Sequence, residues 1–271
     1  MNGKFSNPPM ITVQNLVKNY GNFQALRGIS FQVKRGEIFA FLGPNGAGKT
    51  TAIKILTTLL RPTMGRVEID GLDVTVDQHA VRERLGIVFQ DSSLDDQLTV
   101  MENMQYHAVL YDVPRRARAP RIETLIDVFG LGDYRHKQVR RLSGGLKRRV
   151  EVARGLIHNP KTLFLDEPTI GLDPQSRNYL WAQVKHLNEL ENVTVFLTTH
   201  YMEEAERFAH RIAILDHGNI IAQGTARDLN MQTHSDTLED SFIALTGYEI
   251  RSEDPRKFEG MRKLSQLGRR K

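Results

Sequence analysis

The stretch IFAFLGPNGAGKTT, Ile38 to Thr51, governs the reading of the whole chain. Its first five residues are apolar without alternation, the pattern of a strand buried on both faces. A glycine-rich turn follows, and a helical stretch is predicted from Lys49 to Leu60. Within that strand, loop and helix, GxxxxGKT falls on Gly43, Gly48, Lys49 and Thr50. Glycines there let backbone amides cradle phosphates, Lys49 neutralises terminal phosphate charge, and the Thr50 hydroxyl ligates Mg²⁺. A nucleotide triphosphate is the expected ligand.

Outward from this loop, residues 11 to 17 and 24 to 33 alternate like short antiparallel strands, punctuated by Gly21 and the turn KRGE. Short strands are expected at 63 to 70 and 86 to 89. From Thr99 to about Leu131 the pattern turns helical, divided by Pro114 and Pro120, each expected at a helix start rather than inside one. Further helices are expected over 144 to 158 and 174 to 190, and buried strands over 162 to 165 and 193 to 198. His217, Gly218 and Asn219 mark a hairpin turn. The fold class that follows is α/β: a P-loop NTPase core with a mostly parallel sheet, an antiparallel β subdomain and an α-helical subdomain. The expected organisation is an ATPase domain over 1–224 with the helical subdomain, about 91–160, inserted in it. A helical extension over 225–250 and a tail over 251–271 follow.

Four further elements come in order after the loop. LFLDEP, Leu163 to Pro168, sets two acids at the end of an apolar run. Asp166 is placed to hold Mg²⁺, directly or through water, and Glu167 to polarise the attacking water. Gln90 follows a strand and can reach the metal or the water; taken alone it reads as a surface amide. His200, after VTVFLTT, can contact a γ-phosphate, and taken alone reads as a capping or core histidine. Ser143, Gly144 and Gly145 open a helix, so free amides and the positive dipole end make either a second anion site or an ordinary serine cap. One nucleotide does not need two such sites in one chain. The second is therefore expected to serve the ATP of another copy, making a homodimer.

The basic composition, with a formal net charge of +5, raises a nucleic-acid reading. Residues 251 to 271 carry eight basic and three acidic side chains, which is all of that charge, so the body is neutral and no nucleic-acid partner is expected. The tail reads as a solvated terminus or as a contact for anionic lipid. There are no cysteines, which removes disulfides and thiolate metal sites. MNGKFSNPP lacks a signal-peptide pattern and no apolar run nears the ~20 residues of a membrane span, so a soluble cytosolic chain is expected.

With these residues quoted, the chain resembles the nucleotide-binding domains of ABC transporters over nearly Ile11 to Gly224. GPNGAGKTT resembles the family's Walker A, Gln90 the Q-loop, LSGGL (Leu142 to Leu146) the signature, LFLDEP the Walker B, GLDP (Gly171 to Pro174) the D-loop and His200 the switch histidine. The resemblance implies ATP binding by Gly43, Pro44, Asn45, Gly46, Ala47, Gly48, Lys49, Thr50 and Thr51, with Tyr20 stacked on adenine. It implies metal binding by Thr50, Gln90 and Asp166, and catalysis by Glu167, His200, Gln90 and Lys49. Contact with the ATP of a second copy would come from Ser143, Gly144, Gly145 and Asp173. It also implies membrane permease subunits as partners and a peripheral place at the cytoplasmic face of the membrane. Leu146 departs from the signature's usual glutamine. The stretches FQDSSLDDQLTVMENM (Phe89 to Met104), LYDVP (Leu110 to Pro114) and LEDSFIALTG (Leu238 to Gly247) resemble daunorubicin-type drug and polysaccharide exporters. Import, or a soluble or signalling ATPase without transport, are the alternatives.

Overall fold

The computed structural model describes residues 8–247, so residues 1–7, the last three residues of the expected 225–250 extension and the basic tail lie outside it. Strands β1 (Ile11–Tyr20) and β2 (Phe23–Val33) form the expected antiparallel pair, closed by a two-residue turn at Gly21 and Asn22. Strand β3 (Ile38–Leu42) is buried at every residue and leads through the glycine-rich loop into helix α1 (Lys49–Leu56). That helix stops four residues short of the expected Leu60. The Thr57 hydroxyl bonds back to Ile53 O at 2.8 Å, Thr58 turns left-handed at φ 66°, and Leu59 and Leu60 both donate to Lys54 O. Strands β4 (Met64–Ile69) and β5 (Leu72–Asp73) complete an antiparallel sheet in the order β2-β1-β4-β5.

After a short helix α2 (Gln78–Arg82) and strand β6 (Leu85–Val88), the chain enters a run of helices: α3 (Val100–Leu110), α4 (Arg115–Val128) and α5 (Gly144–Gly155). A capping box fixes the start of α3, with Thr99 and Glu102 each satisfying the other's amide. Pro114 precedes α4 as expected, but Pro120 lies inside it. The expected break does not occur because Ile122, Leu125 and Ile126, all buried, continue one apolar face past the proline. Helix α5 ends at Gly155, short of His158, where Gly155 lies so close to Gly86 that a Cβ on Gly86 would overlap its carbonyl.

The remaining elements are β7 (Thr162–Asp166), α6 (Pro174–Glu191), β8 (Thr194–Thr199), α7 (Met202–Phe208), β9 (Arg211–Asp216), β10 (Asn219–Gly224), α8 (Ala226–Thr233) and α9 (Leu238–Thr246). The β9-β10 hairpin turns at His217 and Gly218, both with positive φ, as a primed two-residue turn requires. The second sheet runs β10-β9-β3-β8-β7-β6, parallel except for β10.

Two-residue alternation divides the core. Ile38, Ala40 and Leu42 of β3 pack with Leu163, Leu165, Val195 and Leu197 against the helices. Phe39 and Phe41 point the other way, to the antiparallel sheet. There Phe39 lies 5.6 Å from Phe31 and 5.7 Å from Phe196, centroid to centroid. Because β3, β7 and β8 are parallel and in register (Leu42 with Thr199, Asp166 with Thr198), their carboxyl ends share one edge of the sheet. Ligands of open α/β sheets bind at that edge. Among the described residues no helix is long and apolar enough to cross a membrane.

Candidate functional site

The loop from Gly43 to Gly48 is shaped by its glycines. A Cβ on Gly43 would overlap the Leu215 carbonyl oxygen, and Gly48, at φ 111°, would place one 2.7 Å from Ala25 O. The first bond of α1 is Ala52 N to Gly48 O at 2.9 Å, so the amides of Lys49, Thr50 and Thr51 have no acceptor within the helix. They form an anion cradle at a positive dipole end. Lys49 is buried, and its Nζ donates to Gly43 O at 2.6 Å and Pro44 O at 3.2 Å. Burial lowers its pKa, opposed by the nearby carboxylates of Glu167 and Asp166. Thr50 is exposed on the first turn, and Asn45 and Gly46 are exposed at the loop's crest.

The end of β7 supplies the two acids. Asp166 is buried and its Oδ1 accepts from the Thr198 hydroxyl at 2.6 Å, while burial raises its pKa. Glu167 turns left-handed at φ 48°, its amide held by Thr198 O and Oγ1, both at 3.1 Å. This bend carries its carboxylate to Lys49, 3.7 Å away, and to His200, whose Nδ1 lies 2.7 Å from Glu167 Oε2. Burial pushes the Glu167 carboxyl up. The His200 hydrogen bond and the charges of His200 and Lys49 outweigh it and hold the pKa below the ordinary 4.5. Lys49, Asp166, Glu167 and His200 thus meet in one place.

Asp166 and the Thr50 hydroxyl offer hard oxygen donors suited to Mg²⁺, which keeps waters and phosphate oxygens rather than a full protein cage. Among the described residues no group of three or more His, Asp or Glu side chains could hold a metal ion. The hard oxygens of Asp166 and Thr50 fit a metal whose remaining ligands are nucleotide oxygens and water. Gln90 lies two residues beyond β6 with its side chain exposed. Tyr20 ends β1, about half exposed, with Lys18 Nζ 5.2 Å from its ring centroid. Its cross-strand partner Phe23 lines a cavity of about 320 Å³ with Pro44, Asn45, Gly46 and Ala47.

Ser143 caps α5, its Oγ accepting from Leu146 N at 3.3 Å, and both Ser143 and Gly144 are exposed. Asp173 caps α6 by accepting from Ser176 N at 2.9 Å and Ser176 Oγ at 2.7 Å. The two caps are neighbours: a Cβ on Gly145 would lie 2.5 Å from Ser176 Oγ. Among the described residues no hydrogen bond joins Ser143, Gly144 or Gly145 to the phosphate loop. Leu146 packs against the helical core, where an apolar side chain fits and an amide would need a partner.

Three residues escaped the sequence reading. Thr198 serves both acids through one hydroxyl, a role a strand pattern cannot reveal. Glu204, buried on α7, accepts from Thr169 Oγ1 at 2.9 Å and Thr199 Oγ1 at 3.3 Å, with burial raising its pKa. Arg148 is buried, although it lies within a run of cations, 147 to 149. Its available signal was Glu151, three residues on, where a partner on one helix face belongs.

The fold and this edge of the sheet define a P-loop ATPase cassette. The family described as "ABC transporter" matches residues 26–170, more than half of the chain, and the chain belongs to that family. It is 45% identical over 230 residues to a daunorubicin resistance ATP-binding protein, DrrA3, of Streptomyces coeruleorubidus, covering 84% of this chain and 72% of that one. It is 40% identical over 221 residues to the Nod factor export ATP-binding protein I of Ralstonia nicotianae, covering 82% and 68%. Among solved structures, the dimeric post-hydrolysis state of the cassette MJ0796 bound to ADP and Pi superposes with a TM-score of 0.72 at 29% identity, covering 80% of this chain and 98% of that one. The chain is an ATP-binding cassette and an ATPase.

Proposed function

We propose that this ATPase powers export across a membrane through a separate permease, working as a homodimer that sandwiches two ATP molecules. The observation that carries the reading is the capped start of α5 at Ser143, Gly144 and Gly145, where Ser143 and Gly144 are exposed and Gly145 is buried behind them. It has the form of a phosphate site, and the chain's own phosphate loop lies elsewhere. Asp173 sits beside it through Ser176 and belongs to the same contact. Support for a dimer comes from the dimeric MJ0796 cassette, and support for export from relatives named for Nod factor export and daunorubicin resistance.

In this reading the loop of Gly43, Pro44, Asn45, Gly46, Ala47, Gly48, Lys49, Thr50 and Thr51 surrounds the phosphates; its amides hold them, except at Pro44, which has no N–H and only shapes the turn, and the Lys49 side chain neutralises them. Tyr20 stacks on the base. Thr50, Asp166 and Gln90 hold Mg²⁺, which when bound neutralises charge on the transferred phosphoryl group. Glu167, kept ionised by His200 and Lys49, accepts a proton from the attacking water. His200 orients Glu167 and reaches toward the terminal phosphate. The helical subdomain, about 91–160 and entered through Gln90, carries the motion to the permease. The ATPase domain spans 1–224, with 225–250 as an extension and 251–271 as a tail. A peripheral location at the cytoplasmic face of the membrane follows from the permease.

Isolation of the chain from membranes under mild detergent tests the transport reading. It predicts a polytopic membrane protein recovered in about equal amount; sedimentation with ribosomes and without membrane protein contradicts it.

A further inference from the structure

The Arg148 side chain uses its whole hydrogen-bonding capacity. Nε donates to Pro168 O at 2.6 Å, Nη2 to Glu167 O at 3.1 Å and Asp166 O at 3.3 Å, and Nη1 to Phe89 O at 2.5 Å and Glu151 Oε2 at 2.7 Å. A guanidinium has five N–H donors in a fixed planar fork, and all five are engaged. Four acceptors are main-chain carbonyls on two separate segments. One segment carries Asp166 and Glu167; the other ends at Phe89, the residue before Gln90.

Its neighbours on the same helix face extend the hold. Glu151 Oε1 accepts from Ser93 N at 3.2 Å, and Arg154 Nη1 donates to Ser93 O at 2.8 Å, with Nη2 donating to the Ser93 hydroxyl. Residues 148, 151 and 154 therefore bind both sides of Gln90 to α5. The buried pair of Arg148 and Glu151 is a costly way to gain stability alone, because desolvating two charges offsets much of their attraction. A planar fork does supply fixed geometry between backbone segments, which a flexible ammonium does not.

We propose that Arg148, held by Glu151, is a positioning residue for ATP hydrolysis. It sets the main chain of Asp166 and Glu167 and the entry to Gln90 in one register with α5. This rests on the function proposed above, in which the start of α5 meets the ATP of a second copy. Movement of α5 on that ATP shifts Glu167 and Gln90 as a unit, so hydrolysis at the chain's own loop answers to the contact made by its own Ser143.

The test is the double variant Arg148→Gln/Glu151→Gln, which removes both buried charges and leaves neither unpaired. Steady-state ATPase is measured beside ATP affinity by fluorescence titration and beside ATP-dependent dimerisation in an added Glu167→Gln background. The expected result is a fall in kcat of about tenfold or more, as misplacement of catalytic groups gives, with ATP affinity within about twofold and the dimer retained. Unchanged kcat overturns the proposal, and so does a fall in kcat matched by equal loss of ATP binding, which assigns the pair to stability alone. Arg148→Lys, which keeps the charge beside Glu151, decides the matter if the double variant does not fold. Its three donors cannot span five acceptors, so kcat falls severalfold; wild-type kcat overturns the proposal. Absence of any ATP-dependent dimer in Glu167→Gln alone removes the dimer reading itself, whereas a normal dimer with indifferent Arg148 variants removes only this role.

Discussion

His200 Nδ1 and Glu167 Oε2 lie 2.7 Å apart, joining the end of β8 to the end of β7 across the site. The contact matters because Glu167 is buried and bent into a left-handed backbone conformation. Without a partner, burial would raise its pKa toward the protonated form that cannot act as a base.

His200→Ala removes the strongest factor holding the Glu167 pKa down and leaves burial dominant. The acid limb of kcat/KM against pH is expected to move to higher pH, with kcat at neutral pH reduced by about 10². An acid limb in its original place would remove His200 from this role. The linked stability has a definite sign. With the folded pKa below the ordinary 4.5, the contribution of Glu167 is present above that value and lost as pH falls through the folded pKa. His200→Ala should therefore show less loss of stability on acidification, followed by chemical denaturation at stepped pH.

Lys49→Ala should weaken ATP binding by roughly ten- to a hundredfold, the value of a hydrogen bond to a charged group. Titration with a fluorescent ATP analogue measures it. An unchanged dissociation constant would mean that the Lys49 ammonium, here on Gly43 O and Pro44 O, does not meet phosphate.

The glycines of the loop should not be equivalent. Gly48→Ala forces a Cβ to 2.7 Å from Ala25 O at φ 111°, whereas Gly46→Ala, at φ 83°, meets open space. Thermal unfolding should show Gly48→Ala destabilised by several kcal/mol, on the order of 2 to 4, and Gly46→Ala by about 1, the cost of backbone strain alone. Equal losses would contradict the packing described.

Tyr20→Ala should lower ATP affinity by roughly tenfold, since aromatic stacking on a base is worth about 1–3 kcal/mol, and Tyr20→Trp should restore it. Equal binding of ATP and triphosphate to the wild-type chain would show that no base is stacked.

The parallel core was legible because β3 is apolar at every position and carries the phosphate loop directly after it. Apolar runs likewise mark β7 and β8, and residue types mark the His217-Gly218 turn. Element ends are set by tertiary contacts that leave no such mark. Thr57 and Thr58 end α1 by side-chain bonding and a left-handed turn, and buried Ile122 and Leu125 carry α4 past Pro120. At the site, residue types announced Lys49, Asp166, Glu167 and His200, but not the parts joining them. Thr198 and Arg148 act on main-chain groups of distant segments, which leave no local pattern.

In the proposed dimer the start of α5 completes the nucleotide site of a second copy. Sedimentation velocity of Glu167→Gln with ATP, beside the same variant carrying Ser143→Arg, decides whether it does. Glu167→Gln should form a stable dimer holding two ATP molecules, with turnover slowed by about 10² or more, and should be a monomer when Ser143→Arg is added. A monomer in both, or a dimer indifferent to Ser143→Arg, would contradict it.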